Sequence, residues 1–357
     1  MKKLIALYCV SSLFSASAWA DSAMRIFCEN RNANANQLTT LRSDVVTSYI
    51  APEIVVTTNN GVRLDNLQHL QVLYSDGLKA QLLLVANTPR RGLYHVEVSI
   101  PFKKGLAQLI APTEIENQKP YALIGSELWV QRDRKTLEVF STEGLQPLNI
   151  IKSQNDIHSI HTMNDGLLVM EQSASQLNAK LWIDAKTSRA NLAYPKLAST
   201  SKVEAQQLAD SFYFLVAKNN NSGWQLFRGT TLIFESTSAK MPFLFELNTE
   251  KFALEVLESY PQGTFAGGLK LTNLTNKNTQ THPYTENLLR QASSITPTSE
   301  GILTAFALDK ANQKILFSAG FLGGVVSFDL TNKNFILHST KDKLCFRPSA
   351  IQELPLW

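Results

Sequence analysis

The chain has 357 residues, of which 34 are Lys or Arg and 30 are Asp or Glu, so its formal net charge is +4. Lys2 and Lys3 lie in a segment that we expect to be removed, which lowers the charge of the mature chain to about +2. So small a positive charge excludes the strongly basic class of nucleic-acid-binding proteins, and no nucleic acid is expected as a partner.

The first 20 residues have the form of a secretory signal peptide. Lys2 and Lys3 precede an apolar run over 4–14, and Ala18-Trp19-Ala20 has the small-x-small form of a signal-peptidase site. The run is too short to cross a bilayer, and no later segment approaches the ~20 apolar residues that a transmembrane helix needs. The sequence therefore predicts a signal peptide over 1–20, cleavage after Ala20, a periplasmic location and one mature domain, 21–357, without a transmembrane segment.

The mature chain repeats a pattern of short alternating strands joined by turns. Its clearest copies are LKLTNLTNKNTQTH (269–282) and VVSFDLTNKNFILH (325–338), which share the tetrapeptide TNKN between two strands. Six such hairpins follow one another 40 to 56 residues apart, with turns at Lys104, Gly144, Thr187, Thr230, Lys277 and Lys333. A further apolar strand precedes each hairpin, so each unit of about 46 residues holds four strands, A to D.

A repeating four-stranded unit of this length predicts a β-propeller blade, because a lone four-stranded sheet cannot bury both of its faces. Blades arranged around an axis cover one another. The last unit, KILFSAGFLGGVVSFDLTNKNFIL (314–337), resembles the YVTN-type propeller repeat. The other units resemble YVTN-like or WD40-like blades in pattern only, and no Trp-Asp pair ends a blade. A sandwich of two sheets and a barrel stay open as alternatives.

The number of blades depends on the two ends of the chain. Six units are visible between Leu67 and Thr340, and the segments 48–64 and 344–354 are left over. We expect an all-β propeller of seven blades of four antiparallel strands, in which N- and C-terminal strands combine and close the ring. Closure of this kind leaves no exposed sheet edge. The alternative is six blades with a loose N-terminal arm.

Cys28 and Cys345 lie near opposite ends of the mature chain. Export permits a disulfide, and closure of the ring by both ends would bring these cysteines together. A bridge between them would close nearly the whole mature chain into a loop. On the chain-entropy model, this would stabilise the folded state by about 5 kcal/mol. The sequence therefore predicts a disulfide, with two unrelated thiols as the alternative.

The B–C loops and the crossovers between blades are expected to share one face of the propeller. Arg and aromatic side chains, which are typical anchors of protein interfaces, recur in these loops. We predict a binding face that consists of Arg90, Arg91, Arg132, Arg134, Lys135, Tyr260, Phe265, Phe321 and Leu322. The alternative is a solvated basic rim whose aromatic side chains fold inward.

The sequence contains no G-x-S-x-G or H-E-x-x-H motif. His158 and His161 form the one histidine cluster. Residues three apart on a strand point to opposite faces, so we expect hydrogen-bonded roles for them rather than a shared metal, unless a bulge intervenes. The strand-A segments carry only Glu204, Glu246 and Asp309, which do not form the acidic set of a metal-dependent propeller enzyme. No cofactor and no metal are therefore expected.

Two functions fit these features. The first is a non-catalytic periplasmic module that binds an envelope or secreted protein, an acidic one in particular, through the B–C loop face. The second is a propeller hydrolase of the lactonase kind with its site at the mouth of the central channel. Loops of variable length on strands of constant spacing, without a recurring catalytic group, favour the binding module over the enzyme.

Overall fold

The computed structural model describes residues 22–30, 37–43, 48–50, 54–64, 67–75, 78–87, 89–99, 104–116, 118–164, 166–189, 192–218, 222–238, 240–259, 266–293, 306–310, 312–319, 324–338 and 347–355. The predicted signal peptide and several residues of the predicted sites lie outside these ranges, namely Tyr260, Phe265, Phe321, Leu322 and Cys345. Within the described ranges, no helix is both long and apolar enough to span a bilayer.

Strands form almost all of the regular structure. Four of them precede the repeats: β1 (Ser22–Asn30), β2 (Gln37–Ser43), β3 (Ser48–Ile50) and β4 (Ile54–Thr58). The first blade holds β5 (Gln68–Ser75), β6 (Lys79–Ala86), β7 (Gly92–Ser99) and β8 (Lys104–Pro112). The second holds β9 (Tyr121–Ile124), β10 (Glu127–Gln131), β11 (Thr136–Ser141) and β12 (Pro147–Lys152).

The third blade holds β13 (Asp156–Met163), β14 (Gly166–Ser173), β15 (Gln176–Trp182) and two short outer pieces that both pair with β15, β16 (Ser188–Arg189) and β17 (Leu197–Ala198). The fourth holds β18 (Val203–Leu208), β19 (Ser211–Ala217), β20 (Trp224–Arg228) and β21 (Thr231–Ser236).

The fifth blade holds β22 (Phe243–Leu247), β23 (Glu250–Ser259), β24 (Ala266–Asn273) and β25 (Thr279–Pro283). A helix, α1 (Glu286–Ser293), follows it. The sixth holds β26 (Phe306–Asp309), β27 (Lys314–Ala319), β28 (Gly324–Asp329) and β29 (Phe335–His338), and β30 (Arg347–Pro355) comes last. The described chain is thus an all-β propeller of six four-stranded antiparallel blades, as the repeat predicts.

The two TNKN turns owe their shared sequence to shared backbone geometry. Lys277 and Lys333 both adopt positive φ, 60° and 56°, and each N–H donates to a carbonyl four residues back, at Asn273 and Asp329 (2.9 Å each). The side-chain Oδ1 atoms of Asn273 and Asp329 also accept from the next backbone N–H groups of their turns. Asn and Asp stabilise turns in this way, so the repeated sequence encodes a turn.

The core lies between blades. One apolar cluster joins the first and second blades, and others join each following pair up to the fifth and sixth. Between the second and third blades, for example, the fully buried Trp129 lies 6.0 Å from Trp182, centroid to centroid. This arrangement confirms that successive blades, from the first to the sixth, bury their faces against one another.

The expectation of a seventh blade is not supported. β30 pairs with β1, β1 with β2, and β2 with β3, but β2 also pairs with β4, and β4 runs parallel to β8 at the outer edge of the first blade. The terminal strands and the first blade therefore form one nine-stranded sheet. The six-blade alternative fits, with an N-terminal segment that is paired rather than loose.

The two ends of the chain do meet. β30 contacts both β5 of the first blade and β26 of the sixth, beside its pairing with β1. Cys28 lies in β1 opposite Pro348. Since Cys345 is outside the described residues, the disulfide stays a prediction.

Candidate functional site

Two B–C loops and the crossover between their blades come together on one face, which we call the loop face. The Thr113 N–H donates to the carbonyl of Arg91 (3.4 Å), and the Glu114 N–H donates to the carbonyl of Arg132 (2.7 Å). The innermost strands β9, β13, β18 and β22 contact one another in ring order. Residues at their N-terminal ends therefore surround the axis at the loop face.

The cationic residues predicted for the loop face divide into bonded and free side chains. Arg91 donates from Nε to the carbonyl of Ile115 (3.2 Å) and from Nη1 to Oδ1 of Asn87. Arg132 forms an ion pair with Glu138 at 2.6 Å. Both arginines thus tie a loop to neighbouring structure.

The other three predicted cations are available to a partner. Arg90 and Arg134 are exposed, and their side chains form no ion pair or hydrogen bond within the described residues. Lys135 Nζ lies 3.8 Å from Oδ1 of Asp156 with more than half of its side chain exposed. Exposed pairs of this kind contribute little to stability.

A groove of about 600 Å³ opens on the loop face between the second and third blades. Its charged lining is mixed, because Arg134 faces it together with Glu114, Glu116 and Asp156, beside the imidazole of His158. The sequence predicted a basic rim here. It could not show that carboxylates from the crossover and from β13 lie beside Arg134. A partner at this groove would have to offer both signs of charge.

The channel mouth is the axial region of the loop face formed by His69, Lys119, Tyr121, His158 and Glu204. His69 sits at the start of β5 with φ of 51°, where the register with β6 shifts between Gln68 and Gln71. The hydroxyl of Tyr121 donates to the His69 carbonyl and holds this bulge. Left-handed, bulged residues cluster at functional sites, where they redirect a side chain.

The imidazole of His69 is neutral at neutral pH. Burial, followed by the charges of Lys119 and Arg91, lowers its pKa to about 4 against an opposing effect of Glu204. The charged groups that shift the pKa of His69 belong to the first, second and fourth blades. The imidazole therefore lies where these blades converge on the axis.

Lys119 projects from the crossover just before β9. Its Nζ donates to Oε1 of Gln71 (2.8 Å) and lies 4.4 Å from the centroid of the Tyr121 ring. Its side chain still reaches solvent, but the surrounding protein displaces enough water to lower its pKa to about 8. Within the described residues no carboxylate pairs with it.

Across the axis, a polar chain joins the third and fourth blades. Ser159 Oγ lies 2.8 Å from Nε2 of the buried His161, whose Nδ1 lies 3.3 Å from Oε2 of Glu204. The order of contacts is that of a serine–histidine–acid triad. The exposure of the two ends is the reverse of that in a catalytic triad, however. Ser159 is only 4% exposed, whereas 45% of the Glu204 side chain is exposed. A substrate cannot reach that hydroxyl, so the chain positions Glu204 at the channel mouth instead.

The sequence places His158 and His161 on opposite faces of a strand unless a bulge intervenes, and the structure contains such a bulge. The register of β13 with β14 shifts between Ile157 and Ser159, at His158. Simple alternation therefore does not hold between His158 and His161. Burial lowers the pKa of His158, with a smaller effect from His161. In the described ranges no group of three or more His, Cys, Asp or Glu side chains could hold a metal ion.

The acidic residues of the innermost strands do not converge. Glu204 is the second residue of β18, at the channel mouth, whereas Glu246 and Asp309 are at or near the last residues of β22 and β26, toward the opposite face. Asp309 accepts from the backbone and side-chain nitrogens of Asn312 (2.9 and 2.8 Å) and thereby caps a turn.

Comparison with known proteins extends the fold assignment. No protein-family model matches the chain, and no curated protein matches its sequence. Solved structures do match, among them a putative 6-phosphogluconolactonase from Bacteroides uniformis (11% identity, 94% of this chain and 100% of that one, TM-score 0.54). A protein from Lactobacillus plantarum matches at 12% identity over 93% and 99% of the two chains (TM-score 0.51). These likenesses support the β-propeller fold and, at such identities, the fold alone.

Proposed function

We propose that this protein is an exported, periplasmic propeller that binds an envelope or secreted protein, non-catalytically, through its loop face. The observation that carries the proposal is the concentration of unpaired cations there. Within the described residues Arg90 and Arg134 form no ion pair or side-chain hydrogen bond at the rim, Lys135 is only weakly paired, and Lys119 at the channel mouth bonds to the neutral oxygen of Gln71 rather than to a carboxylate. Such a surface attracts a partner that brings carboxylates of its own.

The test uses the free arginines. Arg90→Ser with Arg134→Ser should leave thermal stability nearly unchanged, because surface substitutions away from bonded sites have small effects. Arg91 and Arg132 are excluded from this variant, since each holds a loop in place. The matched control is Lys186→Ser with Lys310→Ser, two exposed lysines in a C–D turn and an A–B turn on the opposite face.

The measurement is capture of partners from an envelope extract, with identification by mass spectrometry. The arginine variant should lose a protein that the wild type and the lysine control both retain, and the loss should be greater at low salt. Equal capture by all three proteins at low salt would contradict the proposal.

A hydrolase with its site at the channel mouth is the second candidate. The observation in its favour is the proximity of ionisable groups there: Glu204, held by His161, and Lys119, whose pKa is lowered to about 8. Perturbed groups in a cleft mark candidate catalytic sites. Hydrolysis of lactones or esters by the wild-type protein that Glu204→Gln abolishes, while the variant is still folded at the assay temperature, would favour the enzyme over the binding module.

A further inference from the structure

We infer that the channel mouth contains a carboxylate-binding site between Lys119 and His69, and that a carboxylate of the bound partner enters it. The inference rests on the proposed partner-binding function of the loop face and deepens it. It assigns the axial end of that face, rather than the rim arginines, as the place where one acidic group is recognised.

One side of the mouth carries an excess of positive charge. Lys119 donates to the neutral oxygen of Gln71, and Arg91 donates to the neutral oxygens of Ile115 and Asn87. In the described residues neither cation forms an ion pair with a carboxylate. Lys119, which is exposed, therefore keeps donors for an anion, and a ligand carboxylate would give it a charge-assisted hydrogen bond, which is stronger than a bond to a neutral oxygen.

The local acid is already engaged. Glu204 is the acidic residue of the mouth, and its Oε2 lies 3.3 Å from Nδ1 of His161. Glu204 comes from the fourth blade, whereas Lys119 and Arg91, whose charges lower the pKa of His69, come from the crossover into the second blade and from the first blade. The region between Lys119 and His69 is therefore the electropositive side of the mouth.

The donors on this side of the mouth are held in place. Gln71 takes one of the three Nζ protons of Lys119 and leaves two for a ligand. The Tyr121 ring supports the ammonium group, and its hydroxyl fixes the bulge that carries His69. Donors that need no rearrangement lose little entropy on binding, which is what recognition of a single group requires.

The test is a titration of the mature protein, followed by NMR of its histidine rings. The probes are a blocked peptide Ac-Ala-Glu-Ala-NH2, its Gln analogue, and free succinate. A carboxylate beside His69 should raise the pKa of that imidazole above its free value of about 4. The Glu peptide should shift this titration, and the Gln peptide should not.

Lys119→Met should weaken binding of the Glu peptide about tenfold or more, as expected for the loss of a charged hydrogen bond. The matched control is Lys186→Met, which removes an exposed lysine from a turn outside the mouth and should bind like wild type. Succinate that binds as tightly as the Glu peptide would identify a free small acid, rather than a partner side chain, as the source of the carboxylate.

Two outcomes would overturn the inference: no shift of His69 with either acidic probe, or equal affinity of the Lys119→Met and wild-type proteins. These outcomes are distinct from failure of the proposed function, because they leave arginine-dependent capture intact. If capture did not depend on the arginines while the titration still reported a carboxylate beside His69, the proposed partner binding would be wrong and the carboxylate site would stand.

Discussion

The Nδ1 atom of His161 lies 3.3 Å from Oε2 of Glu204 and links the innermost strands of the third and fourth blades. Ser159 completes the chain at the buried end. This link holds a carboxylate at the channel mouth, opposite Lys119 and His69, and gives the mouth two sides of different charge.

The link predicts acid sensitivity. Burial alone would raise the pKa of Glu204, but the hydrogen bond with His161 and the charge of Lys202 lower it below 4.5. A group with a lowered folded-state pKa stabilises the fold above its unfolded-state pKa, and that contribution is lost as the pH falls through the folded-state value. We expect Glu204→Gln to lose stability at neutral pH and to show a weaker decline below pH 4.5, measured by urea unfolding across this range. Parallel wild-type and variant curves would contradict the link.

Packing between blades predicts where large substitutions are costly. Trp129 is fully buried at the interface of the second and third blades, and Trp129→Ala should cost about 3–5 kcal/mol of unfolding free energy. Ile150→Ala, on an outer strand with 57% of the residue exposed, should change it by less than about 0.5 kcal/mol. Chemical denaturation of both variants checks the contrast, and equal losses would be inconsistent with radial packing.

The repeated turn predicts opposite effects of two substitutions at one position. Lys333 has φ of 56°, a conformation that costs residues with a Cβ atom roughly 1–2 kcal/mol. Lys333→Gly should therefore keep or raise the thermal midpoint, whereas Lys333→Val should lower it. If valine were tolerated as well as glycine, the left-handed turn would be wrong.

The chain ends predict a redox effect. β1 and β30 pair, and Cys28 lies opposite Pro348, three residues beyond Cys345 in sequence. A disulfide between Cys28 and Cys345 should be recovered by peptide mapping of the exported protein, and reducing agent should lower its thermal midpoint. Recovery of both residues as free thiols would discard the bridge.

The blades could be predicted from the sequence because each carries its own signal. Alternating apolar residues fix the strands, and the residues before Lys277 and Lys333 encode their turns within a few positions. The blade number could not be fixed in the same way. It depends on β4 pairing in parallel with β8, a contact between segments some 50 residues apart that leaves no periodic pattern.

The channel mouth was only partly visible in the sequence. His158, His161 and Glu204 stand out as polar residues in innermost strands. Lys119 and His69 do not, because Lys119 lies in a crossover and His69 depends on a bulge held by Tyr121 from the next blade. The loop cations were found by their clustering, but the internal bonds of Arg91 and Arg132 are properties of the folded chain.

Hydrogen–deuterium exchange of the protein with its captured partner tests the central claim most directly. The account predicts slowed exchange on binding at the loop face, over residues 89–91, 118–121 and 132–136, with little change at the turns 273–278 and 329–334. Protection confined to those turns, on the opposite face, with unchanged exchange around Lys119 and Arg134, would contradict it.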